Sequence, residues 1–268
     1  MKIKPSSWLL AGGVLLALLP CGQFVWQQVQ AQNISTACAR QEEQLDLEAE
    51  REAARTYNER LFRSGIPDGE AAYADYENCL VFDDNGLMGF VEIPAISTRL
   101  PIYHGTQETA ISNGCGHIYG TSLPGGGPNT RTVLSSHSGL SAAGLFTRLD
   151  ELRPGDRFTI ESAGSVMVYE VDRIDVVLPD DTAVFAITPG ADEAALVTCT
   201  PYGINSHRLV VSGTRVSETN KPATSGRLRL PSWHVWLTLL SPLALVLIVL
   251  GGQVRYVQAR RKEKRKRL

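Results

Sequence analysis

The chain has 268 residues, of which 43% are hydrophobic, and a formal net charge of −2. This length allows one sizeable domain with appendages. Its charges are unevenly distributed, because residues 5–254 hold 16 basic and 27 acidic residues, a net charge near −11, and eight basic residues follow. So acidic a body argues against nucleic-acid binding.

The N-terminal part begins with two lysines and an apolar run from Trp8 to Trp26, which Pro20 interrupts. Its uninterrupted core, Trp8 to Pro20, is short for a membrane span and is also compatible with a signal peptide cleaved after Ala31. We predict an uncleaved membrane anchor over residues 1–30, with a cleaved signal peptide as the alternative.

The next segment has helical character. Gln41 to Phe62 is rich in Glu, Arg, Ala and Leu, with charged and apolar residues at helical spacing. We predict an amphipathic stalk helix here, then a further short helix from Ala71 to Leu80. Residues 31–86 together are predicted to form a helical stalk and a possible lid region.

From Leu87 onward, short β-rich runs alternate with turns that contain Gly and Pro. Their spacing predicts a closed or nearly closed all-β barrel over residues 87–217. A short helix is predicted from Ala142 to Leu149. The predicted strands are Met88–Ile93, Thr98–Tyr103, Thr130–Ser136, Arg157–Ile160, Val166–Val177, Ala194–Cys199 and Arg208–Val216.

A second hydrophobic segment follows the barrel. Residues 218–232 are a polar tether, residues 233–254 are predicted to be a transmembrane helix with Trp233 and Trp236 at one interface, and residues 255–268 form a basic tail. Because basic residues favour the cytoplasmic side, we expect both termini to be inside and the acidic body to be outside.

One stretch carries candidate chemistry. Cys199 ends a predicted strand and Arg208 begins the next, so a thiol and a permanent cation are expected on adjacent strand ends. The cation can stabilise a thiolate or bind a developing oxyanion. The alternative is a buried, inert cysteine next to a solvated arginine.

The full string Leu-Val-Thr-Cys-Thr-Pro-Tyr-Gly-Ile-Asn-Ser-His-Arg-Leu, residues 196–209, resembles the active-site signature of the class C, pilin-polymerising sortases. Further blocks in the same order also resemble this class, and they are Met88–Pro94, Leu100–Thr106, Gly116–Pro124 and Leu145–Phe146. The resemblance implies an eight-stranded β-barrel with flanking transmembrane helices. It also implies a thiol transpeptidase that cleaves an LPXTG-type signal between Thr and Gly and transfers the acyl group to a pilin lysine.

Such chemistry requires an acid/base, and His104, His117, His137 and His207 all compete for this role. The residue pattern alone does not choose among them. The segment Val133–Leu140 resembles the catalytic histidine segment of the family, which implies Cys199 as nucleophile, His137 as general acid/base and Arg208 as oxyanion and substrate clamp.

Other features qualify this assignment. The family often has Gly before the histidine and a basic residue after it, where this chain has Ser136 and Ser138. Thr198 and Thr200, which flank the cysteine, are predicted to bind substrate. The chain lacks the Asp-Pro-aromatic lid motif of the class, so we expect an open or loosely covered cleft.

The five cysteines show no Cys-x-x-Cys spacing, so we expect neither a zinc site nor a cofactor. A Cys79–Cys115 disulfide is one possibility in an oxidising exterior.

The predicted function is pilus assembly on a Gram-positive surface by a two-span membrane enzyme. The alternatives are a sortase that anchors proteins to peptidoglycan amines, and a membrane-tethered β-barrel that binds partners without chemistry.

Overall fold

The computed structural model describes residues 46–66, 69–138 and 144–217. Within these ranges, no helix is long and apolar enough to cross a membrane. Both hydrophobic segments, the tether and the basic tail predicted from the sequence lie outside the described residues.

The described residues form three α-helices and eight strands. The helices are α1 (Leu47–Ser64), α2 (Glu70–Glu77) and α3 (Glu108–Asn113). The strands are β1 (Leu87–Ile93), β2 (Thr98–His104), β3 (Cys115–His117), β4 (Thr130–Ser135), β5 (Arg157–Ser162), β6 (Ser165–Val177), β7 (Asp192–Thr200) and β8 (His207–Arg215).

These strands close into a barrel in the order β1-β2-β3-β4-β7-β8-β6-β5. The pairs β2–β3 and β4–β7 are parallel, and the other pairs in the ring are antiparallel. The prediction of a mainly β, eight-stranded barrel with short helices is therefore confirmed for the described residues.

The sheet around β7 is buried on both faces. Ala194 and Leu196 belong to the main core, whereas the alternating residues Ala195 and Val197 belong to a second cluster. Successive side chains of a strand point to opposite faces, so the second cluster lies on the outer face of the barrel wall. Its buried members are Val133, Ala195, Val197 and Val210, and Ile118, Val177, Val184 and Phe185 pack against them.

Some predicted elements differ from the observed ones. Strand β3 was missed, because three residues, Cys-Gly-His, give no alternating pattern. Helix α3 was missed for a similar reason, since it is only six residues long. The predicted helix from Ala142 to Leu149 is wrong for its described part, where residues 144–148 form turns before a one-turn 3-10 helix, Leu149–Glu151.

Helix α1 lies against the barrel, whereas the sequence suggested a stalk. Ala54, Tyr57 and Leu61 are buried on one face of this helix. Asn58 exchanges two hydrogen bonds with the backbone of Leu123, donating at 3.0 Å and accepting at 2.7 Å. These paired bonds satisfy a buried amide and fix the helix relative to the barrel.

A buried ion pair connects three neighbouring strands. Arg131 of β4 is 1% exposed, and its Nη1 lies 3.0 Å from Oε2 of Glu193 on β7. Its Nη2 donates to Ser212 Oγ on β8 at 2.7 Å. Arg131 and Glu193 are also register partners in the parallel pairing of β4 with β7. The pair therefore favours a single register between these strands.

We predict that Glu193→Gln lowers the free energy of unfolding by about 3 kcal/mol or more, because it leaves the Arg131 cation buried without its partner. Urea unfolding of the full chain, followed by circular dichroism, measures this change. The matched control is Glu170→Gln, which removes the carboxylate of the more exposed Arg157–Glu170 pair and should cost below about 1 kcal/mol.

The double variant Arg131→Met/Glu193→Leu should lose less stability than Glu193→Gln alone, since no unpaired charge remains buried. Equal losses for Glu193→Gln and the Glu170→Gln control would contradict this interpretation of the ion pair.

Candidate active site

Cys199 and Arg208 lie side by side on the barrel wall. They are direct partners in the antiparallel pairing of β7 with β8. Directly opposed residues of an antiparallel pair project from the same face, with Cβ atoms about 4.5–5.5 Å apart. Cys199 lies two residues after Val197 on β7, and Arg208 lies two residues before Val210 on β8. Residues two apart on a strand share a face, so the thiol and the guanidinium lie on the outer face with the second cluster.

The segment that contains His137 continues the parallel pairing of β4 with β7. The last register pair is Ser135 with Val197, and the Ser136 N–H donates to the Val197 carbonyl at 3.1 Å. Two residues further along each strand are His137 and Cys199. The structure therefore brings together, at the ends of three adjacent strands, the histidine, cysteine and arginine singled out from the sequence.

The two serines around His137 both make specific contacts. Ser136 is buried, and its Oγ donates to the Gly114 carbonyl at 2.6 Å. Ser138 Oγ donates to the carbonyl of Cys199 at 2.6 Å. Where the family often has Gly and a basic residue, this chain thus has hydroxyls that attach the histidine segment to α3 and to the cysteine itself.

Arg208 is held by the turn that precedes it. Its Nη1 donates to the carbonyls of Asn205 and His207, at 3.2 and 3.1 Å. A guanidinium carries five N–H donors in a fixed plane. Anchoring one nitrogen to the backbone orients that plane at the end of β8.

His104 and His117 contact backbone carbonyls of neighbouring segments. The nitrogens Nδ1 and Nε2 of His104 lie 3.0 and 2.9 Å from the carbonyls of Gly86 and Cys79. His117 is fully buried, with Nε2 2.8 Å from the Ser122 carbonyl and Nδ1 3.0 Å from the Tyr76 hydroxyl. Burial lowers the pKa of His117 to about 4, so its ring is neutral at pH 7.

His207 lies on the face of β8 opposite to Arg208. Its register partner is Thr200, and its Nδ1 lies 2.9 Å from the Ser206 hydroxyl. Strand alternation therefore separates it from the face that carries Cys199.

Thr198 and Thr200 also alternate with Cys199, so their side chains leave β7 on the opposite face. Thr198 is buried, and its hydroxyl donates to the Ser136 carbonyl at 2.9 Å. This hydroxyl therefore joins β7 to the histidine segment, which argues against the predicted direct contact with substrate.

The barrel face that carries the site is partly apolar, a feature that the sequence did not reveal. The second cluster adjoins Cys199 and Arg208 on the same face, and Val184 and Phe185 of the 3-10 helix Thr182–Phe185 pack against it. In the turn between β7 and β8, Tyr202 and Ile204 are 55% and 71% exposed. Apolar side chains therefore lie on the same face of the barrel wall as the thiol and in the turn that follows its strand.

The described cysteines, Cys79, Cys115 and Cys199, are all free thiols. The possible Cys79–Cys115 disulfide is therefore not formed. Burial raises the pKa of the Cys79 and Cys115 thiols, which disfavours their reactive thiolate forms. Among the described residues, no three His, Cys, Asp or Glu side chains gather as a metal site.

Comparison with known proteins identifies the family of this chain. The Sortase domain family matches residues 91–216. Sortase C1 from Streptococcus agalactiae is 39% identical, with a TM-score of 0.64, over 66% of this chain and 95% of that structure. The chain belongs to the sortase family. It is thus, by family, a cysteine transpeptidase, and its solved relatives include class C members.

Other sortases extend this comparison. Sortase C from Streptococcus pneumoniae is 40% identical, with a TM-score of 0.62, over 69% of this chain and 97% of that structure. A lid mutant of sortase A from Corynebacterium diphtheriae is 41% identical, with a TM-score of 0.61, over 66% and 97%. Sortase D of Bacillus subtilis is 31% identical over 48% of this chain, and the chain spans 64% of that relative's length.

We predict that His117 makes stability depend on pH. Its pKa is about 4 in the folded protein, compared with 6.5 for an exposed histidine such as that of the unfolded chain. As pH falls, the unfolded chain therefore takes up a proton before the folded protein does. Folding stability from this residue is present above pH 6.5 and is lost as pH falls toward 4, by about 3 kcal/mol.

His104, whose pKa burial also lowers, acts in the same direction, so the informative quantity is a difference between variants. Urea unfolding at pH 7 and pH 5 should show a smaller loss of stability for His117→Gln than for the wild type. An unchanged loss would refute the buried, neutral state of His117.

Proposed function

We propose that this protein is a membrane-anchored sortase that cleaves LPXTG-type sorting signals through a thioester on Cys199. The main support for this proposal is the cross-strand pairing of Cys199 with Arg208. His137 lies on the neighbouring segment, where the Ser138 hydroxyl donates to the Cys199 carbonyl. Nucleophile, acid/base and oxyanion donor are the three groups that acyl transfer requires.

The proposed acylation step begins with the Cys199 thiolate, which attacks the threonine carbonyl of the signal. The carbonyl oxygen becomes an oxyanion, and the Arg208 guanidinium stabilises it through donors other than the anchored Nη1. Protonated His137 gives its proton to the glycine nitrogen. The Thr–Gly bond then breaks, and the thioester and the free C-terminal fragment are formed.

The second step reverses the proton transfer. An incoming amine attacks the thioester carbonyl and gives a proton to His137, while the Cys199 sulfur leaves as a thiolate. The product is an amide between the threonine carbonyl and the acceptor.

We infer that the acceptor is a lysine of a pilin subunit. The similarity to class C sortases supports a pilin lysine as the acceptor. The chain is 39–40% identical to sortases C from two streptococci. The structure of the Streptococcus pneumoniae enzyme is described as giving insight into pilin substrate specificity. The alternative acceptor is a peptidoglycan amine, because the same thioester can react with either amine.

The membrane topology is proposed from the sequence and from the family, whose members are generally membrane-associated. Hydrophobic segments over residues 1–30 and 233–254, each with basic residues on its terminal side, favour two spans with both ends cytoplasmic. The barrel would then act at the outer surface of a Gram-positive cell.

We predict that three substitutions separate the three roles in an assay with an LPXTG peptide and an amine. Cys199→Ala abolishes acyl transfer, because no thioester forms. His137→Ala lowers the rate by about 10²–10⁴-fold. Arg208→Lys keeps the charge but loses the planar fork, and should slow thioester formation by about 10²–10³-fold.

Matched controls are Cys79→Ala and Arg99→Lys, which change a half-buried thiol and an exposed arginine of β2 and should keep wild-type rates.

Near-normal turnover of Arg208→Lys together with loss of activity in His207→Ala would show that the roles are assigned to the wrong residues. A pilin lysine peptide that competes no better than a peptidoglycan amine would favour the alternative acceptor. Retained peptide binding with no reaction in the wild type would favour a binding module.

A further inference from the structure

Helix α3 contacts the histidine segment at two consecutive residues. At its C-terminal end, the carbonyls of Gly114 and Ile111 accept from Ser136 Oγ, at 2.6 and 3.3 Å. At its first residue, Oε1 of Glu108 lies 3.2 Å from Nε2 of His137. One short helix therefore fixes the backbone before the histidine and also meets its ring.

Glu108 is itself oriented by a neighbour on the same helix. Ser112, one turn later, donates its hydroxyl to the same Oε1 at 2.7 Å. This hydrogen bond, followed by the one to His137, holds the pKa of the Glu108 carboxyl below its usual value. The carboxylate is thus ionised at neutral pH and directed at the ring.

This contact determines which ring nitrogen can exchange protons. A carboxylate only accepts hydrogen bonds, so Nε2 must carry a hydrogen to bind it. In the neutral ring, the lone pair then lies on Nδ1, and Nδ1 is the atom available to the thiol and to the amines. We propose that Glu108 is a positioning residue that selects this tautomer of His137. The inference rests on the proposed transpeptidase function.

Charged and nucleophilic groups from three elements meet near the His137 ring. Cys199 of β7 and Arg208 of β8 share the face that His137 adjoins, and Glu108 contacts the ring from α3. Because Glu108 and His137 are 78% and 41% exposed, solvent screens the pair and its effect is moderate.

The experiment uses the full-length protein and two variants of one residue. Glu108→Gln keeps an oxygen acceptor but removes the charge, whereas Glu108→Ala removes both. The control Glu92→Gln makes the same charge change on β1, which lies four strands from β7 in either direction around the barrel. Rates of thioester formation with an LPXTG peptide are measured across pH, together with KM.

We expect Glu108→Ala to slow thioester formation by about two- to fivefold, the range for exposed charged pairs, with KM unchanged. Glu108→Gln, which keeps an oxygen acceptor for Nε2, should lose less of the rate than Glu108→Ala. Glu92→Gln should match the wild type. Wild-type rates and profiles in both Glu108 variants would overturn the inference, and so would a faster Glu108→Ala enzyme.

A nitrogen-15 NMR measurement of the His137 ring separates this inference from the proposed function, because it does not require turnover. The wild type should show the neutral tautomer with hydrogen on Nε2, and Glu108→Ala should show a mixture. An identical tautomer population in both proteins would refute the role of Glu108 even in an active enzyme. A wild type with the expected tautomer but no thioester would instead refute the proposed function.

Discussion

The parallel pairing of β4 with β7 is the constraint on which the candidate site depends. Arg131 is paired with Glu193 six residues before His137 and Cys199, respectively, so one register at the base of the strands sets the alignment at their ends. A slip of one residue would turn every side chain of a strand to the other face. The buried Arg131–Glu193 contact and its bond to Ser212 make such a slip costly.

Because side chains alternate along each strand, the inner face of the barrel wall forms the main core and the outer face carries the candidate site. Leu196 and Leu209 belong to the main core, while Val197 and Val210 lie on the outer face next to Cys199 and Arg208. Hydroxyl groups then secure the third strand end, because Ser136 binds α3 and Ser138 binds the Cys199 carbonyl. The candidate site is thus built on rigid strand ends, which limits how far its groups can move apart.

The sequence predicted much of this arrangement, and the limits of that prediction have physical causes. Alternating β-branched runs gave seven strands close to their observed positions, and alternation correctly separated His207 from Arg208. Strand β3 and helix α3 were too short to leave a periodic pattern, so the contact of Glu108 with His137 could not be foreseen. His104 and His117 are distinguished from His137 only by burial and carbonyl partners, which depend on segments distant in sequence.

A thioester on Cys199 can be detected directly from the intact mass of the full-length protein during reaction with an LPXTG peptide and no amine acceptor. We expect an adduct equal to the peptide fragment that ends at threonine, mapped to Cys199 and released by hydroxylamine as a thioester is. An adduct on Cys79 or Cys115, or none in a protein that binds the peptide, would contradict the proposed role of Cys199.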